Sequence, residues 1–409
     1  MLGWLIITNI NSEFLVFIFV LFQYIFLFFF GGLCLSVVLD PGNVLFGIKE
    51  HLFILSFITG AITIKRYPSL ILIIYIIVGL LIPVYGLLVG NLLGDYFSVE
   101  YALMYLKAFM FLSLILIGHK YGLYISDIFS VITLLLIPIT IVIWYMVDSF
   151  SVEQSEIYPQ EIVVVSRRAF GPLLIDPVVF YKTSPLLVFG LSFLCFKKQS
   201  SLTLLLLILG FWVMFISGTR ANLISVTVIY IIGIYNCVKE NQRLKNLFIL
   251  ISIFLVFVFF PYLLTEVFFN SEESSLITKQ SLIDSYLLYW NENPLKFLLG
   301  SGLGAGMATD VRGVEYIMEP TYFEIVRFWG IINMPFTVFF LLLLPICFFM
   351  KSQRSTLFPK YKYVFIAYLL YVFVEIPSNP LLLSSTGMIV YVIALSSSYY
   401  LYKYSHSHD

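Results

Sequence analysis

The 409-residue chain is short of charge. Asp, Glu, Lys and Arg make up 11% of it, against 61% hydrophobic residues. A soluble domain of that size covers itself with polar side chains, so this composition excludes one and calls for a bilayer as solvent. Basic and acidic residues balance at 23 each, which removes the electrostatic basis for binding nucleic acid. Chemistry-bearing residues are scarce too. The four histidines (His51, His119, His406 and His408) are scattered, and no HExxH, GxSxG or Walker A pattern occurs. These absences argue against a histidine metal site, a Ser-His triad and a nucleotide-phosphate loop. Neither a metal nor another cofactor is expected. Cys34, Cys195, Cys237 and Cys347 lie inside apolar runs without CxxC spacing and read as small packing residues.

What the chain does have is long apolar runs. A membrane span takes about 20 apolar residues, and candidates cover 14–39, 52–64, 69–90, 99–118, 128–147, 178–196, 202–217, 221–238, 247–265, 322–350, 363–376 and 381–402. The expected fold is therefore all-α, a polytopic transmembrane helical protein with about twelve spans in one domain over 1–409. Segment 178–196 contains Lys182 and Pro185, and 52–64 and 363–376 are short. The first run is too long for a signal-peptide core and lacks a basic region before it, so it reads as a retained span.

The short loops assign sides. Lys65, Arg66, Lys120, Lys197, Lys198, Lys239, Arg243, Lys245, Lys351, Arg354, Lys360, Lys362 and Lys403 fall on one side, and little beyond Lys49 and Arg220 on the other. The inside bias of basic residues makes the first side, with both termini, cytoplasmic. Two long polar segments, 148–177 and 266–321, then face outward, the second as a lid between spans nine and ten. Its Gly300-Ser-Gly302-Leu-Gly304-Ala-Gly306 run lacks dinucleotide spacing and reads as a flexible turn that lets backbone approach a ligand.

Several charged groups carry two readings each. Arg167-Arg168 offers planar forks for phosphate or carboxylate, or is a solvated pair neutralised by Glu153, Glu156 or Glu161. Arg220, in the tight turn Ser217-Gly218-Thr219-Arg220, either binds an anion at the outer interface or snorkels to lipid headgroups. Lys279, Asp284 and Arg312 belong to the lid, whose Tyr286-Leu-Leu-Tyr-Trp290 stretch suits sugar stacking or simply packs. Glu324 and Arg327, three apart on one helix face, form either a functional site or an ion pair that locks helices. Glu375 is a similar intramembrane carboxylate, and Lys107 reads as a structural partner.

Certain motifs resemble a known family. They are Ser-Gly-Thr-Arg-Ala-Asn (Ser217–Asn222), the aromatic stretch leading to Asn-Pro-Leu and Leu-Gly-Ser-Gly-Leu-Gly (Tyr289–Gly304), and Phe-Glu followed by Phe-Trp-Gly (Phe323–Gly330). Together with many spans and outward loops, they look like the O-antigen polymerase and ligase superfamily of integral membrane glycosyltransferases. The resemblance implies transfer of undecaprenyl-diphosphate-linked oligosaccharide at the periplasmic face of the bacterial inner membrane, without a metal. Membrane lipids and a chain-length regulator are the implied partners. The resemblance places Arg220, Arg167 or Arg168, and Arg312 at the diphosphate. Joined to the reading of the residues above, it makes Glu324, Arg220 and Arg312 the expected catalytic residues, and Arg167, Arg168, Lys279, Trp290, Tyr322 and Arg327 the expected substrate-binding ones, with Asp310 or Glu319 as other carboxylates for the acceptor. Ligases of the superfamily usually carry a histidine in the large outer loop. None lies between His119 and His406, so a polymerase is the primary expectation, with a ligase or a flippase of lipid-linked sugars as the alternatives. Relatives often have Arg just before the aromatic stretch; here the position is Lys279-Gln280.

Overall fold

The computed structural model describes residues 12–150, 159, 162–166, 177–196, 200–240, 274–309, 313–318 and 321–406. In chain order the helices are α1 (Ser12–Leu39), α2 (Lys49–Ile62), α3 (Ser69–Tyr75), α4 (Ile82–Leu93), α5 (Val99–Met110), α6 (Ile115–Thr133), α7 (Leu136–Phe150), α8 (Leu187–Phe196), α9 (Ser201–Ile216), α10 (Arg220–Glu240), α11 (Ser274–Glu292), α12 (Pro294–Leu299), α13 (Thr321–Val338), α14 (Leu344–Lys351), α15 (Phe358–Leu370) and α16 (Ser385–His406). Two antiparallel hairpins interrupt them, β1 (Val163–Ser166) with β2 (Val178–Tyr181), and β3 (Met307–Thr309) with β4 (Gly313–Glu315).

The protein is an all-α membrane protein. Among the described residues, four helical runs are long and apolar enough to cross a bilayer: Val16–Leu39, Ser69–Leu93, Val99–Ser149 and Thr321–Arg354. Shorter apolar helices cover Ser184–Phe196, Leu202–Ile216 and Arg220–Gly233. Their outward faces carry large apolar side chains, among them Phe28, Leu88 and Leu92, a surface that water would not tolerate at this density but lipid does. Cys34 and Cys195 are buried free thiols, as expected of small packing residues.

The boundaries differ from the sequence expectation in three places, each for a physical reason. Residues 99–149 form one helical run instead of two spans with a loop around Lys120. Turns of 3-10 type join its segments at Phe111–Leu114 and near Leu134. The polar residues in the middle find partners inside the bundle: Lys120 Nζ donates to the Thr63 carbonyl at 3.0 Å, and the Tyr363 hydroxyl donates to Asp127 at 2.5 Å. With those groups satisfied, nothing forces the chain out into water. Residues 178–181 form a strand and not the start of a helix. Tyr181 and Thr183 bond back to the carbonyls of Leu39 and Val38, and Pro185 opens a short 3-10 turn before α8. In the C-terminal region, α15 passes through a π-helical turn at Tyr371–Glu375, and 379–384 form a connection before α16.

The described part of the polar insert, 274–309 and 313–318, is folded. Leu282 and Tyr286 of α11 pack with Met307 and Met318, and Trp290 stacks on Phe323 of α13 at 5.7 Å and 7°. The glycine run is the corrected part of the sequence reading: it is wedged into the bundle and not a loose turn. Leu303 N–H donates to the Gly86 carbonyl, Ser98 N–H to Gly304, and Gly306 N–H to Asp95. A break in α13 at Gly330, φ 72°, frees the carbonyls of Arg327 and Phe328, and Ser301 N–H and Gly302 N–H take them at 2.6 and 3.1 Å. Gly302 itself has φ 78°, and a Cβ there would sit 1.9 Å from Gly90 N.

Gly302→Ala combines that clash with a left-handed backbone. It should therefore destabilise the protein by about 3 kcal/mol or more. The check is thermal unfolding of the detergent-purified variant, where an unchanged midpoint would contradict the wedge.

Candidate functional site

One end of the bundle gathers loops from distant parts of the sequence, and a cavity of about 620 Å³ lies among them. Four segments wall it: 41–50, the inward face of α5, residues 317–328, and the connection at 380–385. Local sequence explains each wall. Asp40, fully buried, accepts from the N–H groups of Val44, Leu45 and Phe46 at 2.8–2.9 Å, which curls 40–46 into a fixed loop. That loop carries Asn43, whose amide donates to Glu50 at 2.7 Å. On α5, Ser98 caps the N-terminus, and the spacing of Glu100, Met104, Lys107 and Phe111 puts all four on the cavity side. Tyr101 stacks on Tyr316 at 4.1 Å and 6°, closing the wall between α5 and the insert.

The cavity is ionic as well as aromatic. Lys49, Glu50, Glu100, Lys107 and Glu324 all line it. Lys49 is buried and donates to the Pro41 carbonyl at 2.8 Å. Burial holds its ammonium below the ordinary lysine range, and Glu50 and Asp40 pull it partly back. Lys107 is different: its side chain is exposed to the cavity, and it makes no ion pair with any other described residue. Glu100 is likewise exposed at the rim. A cation and a carboxylate left open beside stacked tyrosines can bind an anion and orient hydroxyl groups together.

Beneath the cavity floor sits a buried ion pair. Arg327 and Glu324 have side chains 0% and 4% exposed and approach to 2.7 Å. Arg327 Nε and Nη2 both bond the carboxylate, while Nη1 donates to the Ala305 carbonyl at 2.7 Å and Nη2 to that of Tyr316 at 2.9 Å. Met318 N–H donates to Glu324 Oε1 at 2.6 Å. The Tyr286 hydroxyl lies next to this carboxylate, outside strict hydrogen-bond geometry. Burial first, and then the Glu324 charge, push that phenol well above the ordinary tyrosine range. The ion pair of the second sequence reading is present, and three hydrogen bonds occupy the carboxylate, which also lines the cavity.

The remaining expected residues are distributed as follows. Tyr322 is half-buried and donates its hydroxyl to the Val372 carbonyl at 2.6 Å. Trp290 packs between Tyr286, Phe297 and Phe323. Lys279 lies on α11 and Arg220 opens α10, both half-buried, and neither lines the cavity. Arg167, Arg168, Arg312, Asp310 and Glu319 lie outside the described residues. Among the described residues, no three His, Cys, Asp or Glu side chains cluster as a metal site would require. Sequence reasoning missed Lys49, Glu50 and Glu100 as site residues and took Lys107 for a structural partner. The one available signal was the cost of a lysine in an apolar helix; Glu100 shares that helix, but Lys49 and Glu50 come from another segment.

Removing one partner of a buried ion pair typically costs 3–5 kcal/mol. Glu324→Leu and Arg327→Met should each lower stability by about that much, and the two combined should lose less than the sum of the single changes. A double-mutant cycle on thermal unfolding checks this, and strict additivity would mean the pair does not couple.

The chain matches no family model, no curated protein and no solved structure.

Proposed function

We propose that this protein is a polysaccharide polymerase that joins undecaprenyl-diphosphate-linked oligosaccharide repeat units. In this reading it has about twelve spans in a bacterial inner membrane, both termini are cytoplasmic, and the cavity end faces the periplasm. The observation that carries the reading is the cavity itself, with open Lys107 and Glu100 beside the Tyr101–Tyr316 stack. It lies at one end of an apolar bundle and under a folded polar insert.

The chemistry follows from that setting. An acceptor sugar hydroxyl attacks the anomeric carbon of the lipid-linked donor as the bond from that carbon to the diphosphate oxygen breaks. The diphosphate leaves with the electron pair, and the hydroxyl proton passes to a base. A diphosphate needs its developing charge neutralised, which fixed cationic groups do at about 10²–10³-fold per donor in comparable sites. Arg220 at its tight turn, with Arg167 or Arg168 and Arg312, is assigned to the diphosphate. Lys107 is assigned to the reducing-end anion or the acceptor it activates. Glu324, held by Arg327 and Met318, positions the floor, which leaves Glu100 or Glu50 as the carboxylate free to accept a proton. The aromatic wall suits the apolar face of a sugar ring.

Lys107→Gln keeps most of the stem and removes the charge from a side chain that has no ion-pair partner among the described residues. In a host whose surface polysaccharide depends on this gene, it should cut long chains at least about 10²-fold while protein levels hold. Arg220→Ala should do the same, leaving single repeat units. Undiminished long chains in both variants, read on a polysaccharide gel, would exclude the assigned diphosphate contacts.

A further inference from the structure

A second polar cluster lies inside the bundle, away from the cavity lining, and the glycosyl-transfer reading makes no use of it. It joins α10, the 3-10 turn Ser184–Leu186 and the π-helical turn at Tyr371–Glu375. Asn222, Ser225 and Glu375 are each 0% exposed and Tyr371 is 1% exposed. Ser225 donates its hydroxyl to Glu375 Oε1 at 2.5 Å. Asn222 Nδ2 donates to Ser184 Oγ at 2.9 Å and to Ser217 Oγ at 2.7 Å. Ser217 spends its own proton on the Met214 carbonyl, so it can only accept from Asn222. That fixes which end of the amide is nitrogen.

The orientation leaves two acceptors without donors: Asn222 Oδ1 and Glu375 Oε2 are both buried and unpartnered, as is the Tyr371 hydroxyl. Asn222 and Ser225 stand three apart on one helix face, and Ser225 touches Glu375, so the orphan oxygens belong to one cluster. No described lysine, arginine or histidine forms an ion pair with Glu375. Tyr371 is the titratable neighbour on its own segment, and the elements packed against it contribute the hydroxyls of Ser184 and Ser225 and the Asn222 amide. Two buried, unpartnered acceptors in one cluster linked through Ser225, one of them a carboxyl group, call for a positive centre.

We infer that Glu375 and Asn222 bind one monovalent cation, a proton or a sodium ion, that ties α10 to the end of α15. A proton would sit on Glu375 Oε2 and be donated towards Asn222 Oδ1. A sodium ion would take both oxygens with the serine hydroxyls as further hard ligands. Asn379 extends the cluster towards the cavity: its amide donates to the Glu375 carbonyl at 3.1 Å, and its own carbonyl accepts from Thr321 at 2.9 Å. Thr321 lines the cavity. The bound cation therefore lies two hydrogen bonds from the proposed site, and two residues from Arg220.

The test uses the full chain, purified and placed in nanodiscs of uncharged lipid. If sodium is the occupant, replacing choline chloride by sodium chloride at constant ionic strength raises the unfolding midpoint of the wild type. Glu375→Gln, an isostere of the neutral acid, loses that response. If a proton is the occupant, sodium has no effect, and the infrared spectrum near neutral pH contains a protonated carboxyl stretch that Glu375→Gln deletes and Asn222→Ala shifts. Both readings come first from the wild type, so they stand even if a variant folds poorly. A wild type with no sodium response and an ionised Glu375 overturns the inference.

Discussion

Much of this structure hangs on the Arg327 guanidinium. It is buried completely and spends its donors on three separate pieces of chain: the Glu324 carboxylate one turn away, the Ala305 carbonyl at the end of the glycine run, and the Tyr316 carbonyl after the second hairpin. Its planar fork makes four hydrogen bonds here, one more than the three donors of an ammonium allow. The geometry therefore holds the return of the polar insert, its glycine run and the first turn of α13 in one register. The cavity floor is a consequence of that register, because Met318, Thr321, Glu324 and Phe328 reach the cavity from the same short segment.

The glycine run is the second half of the same constraint. Gly330 breaks α13 and exposes two carbonyls, and the run supplies the N–H groups they need. It then presses against Gly86 and Gly90 of α4, where a Cβ at Gly90 would collide with the Leu303 backbone and one at Gly86 with the Leu303 side chain. The Tyr85 hydroxyl reaches the Leu299 carbonyl and accepts from Asn333, and Lys296 pairs with Asp95 at 2.5 Å. Polar backbone thus enters an apolar bundle only where each group is met by another, which is the condition a lipid-facing protein must satisfy. The described part of the insert is thereby packed onto the bundle, and the open charges Lys107 and Glu100 are held on α5.

Two polar centres with opposite logic emerge. The cavity holds charges that are left open, as a ligand site requires. The Glu375 cluster holds acceptors that are closed in, which requires a small positive occupant. The hydrogen bonds through Asn379 and Thr321 connect the two, so the end of α15 and the start of α13 share one polar seam at the same end of the bundle.

The membrane class, the apolar helices and the importance of the polar insert were legible in the residues alone, because bilayer insertion depends on local hydrophobicity over some 20 residues. The pairing of Glu324 with Arg327 was legible as well, since helical spacing of three sets it. The helix boundaries at 99–149 and 178–181 were not. They depend on whether Lys120, Asp127, Tyr181 and Thr183 find partners in distant segments. Nor was the makeup of the cavity, which joins Lys49, Glu50, Glu100 and Lys107 to residues more than 200 positions later. Local pattern determines which stretches leave water and which charges share a helix face. Only tertiary packing decides which of those charges are neutralised and which stay open, because that depends on atoms the chain brings together at long range.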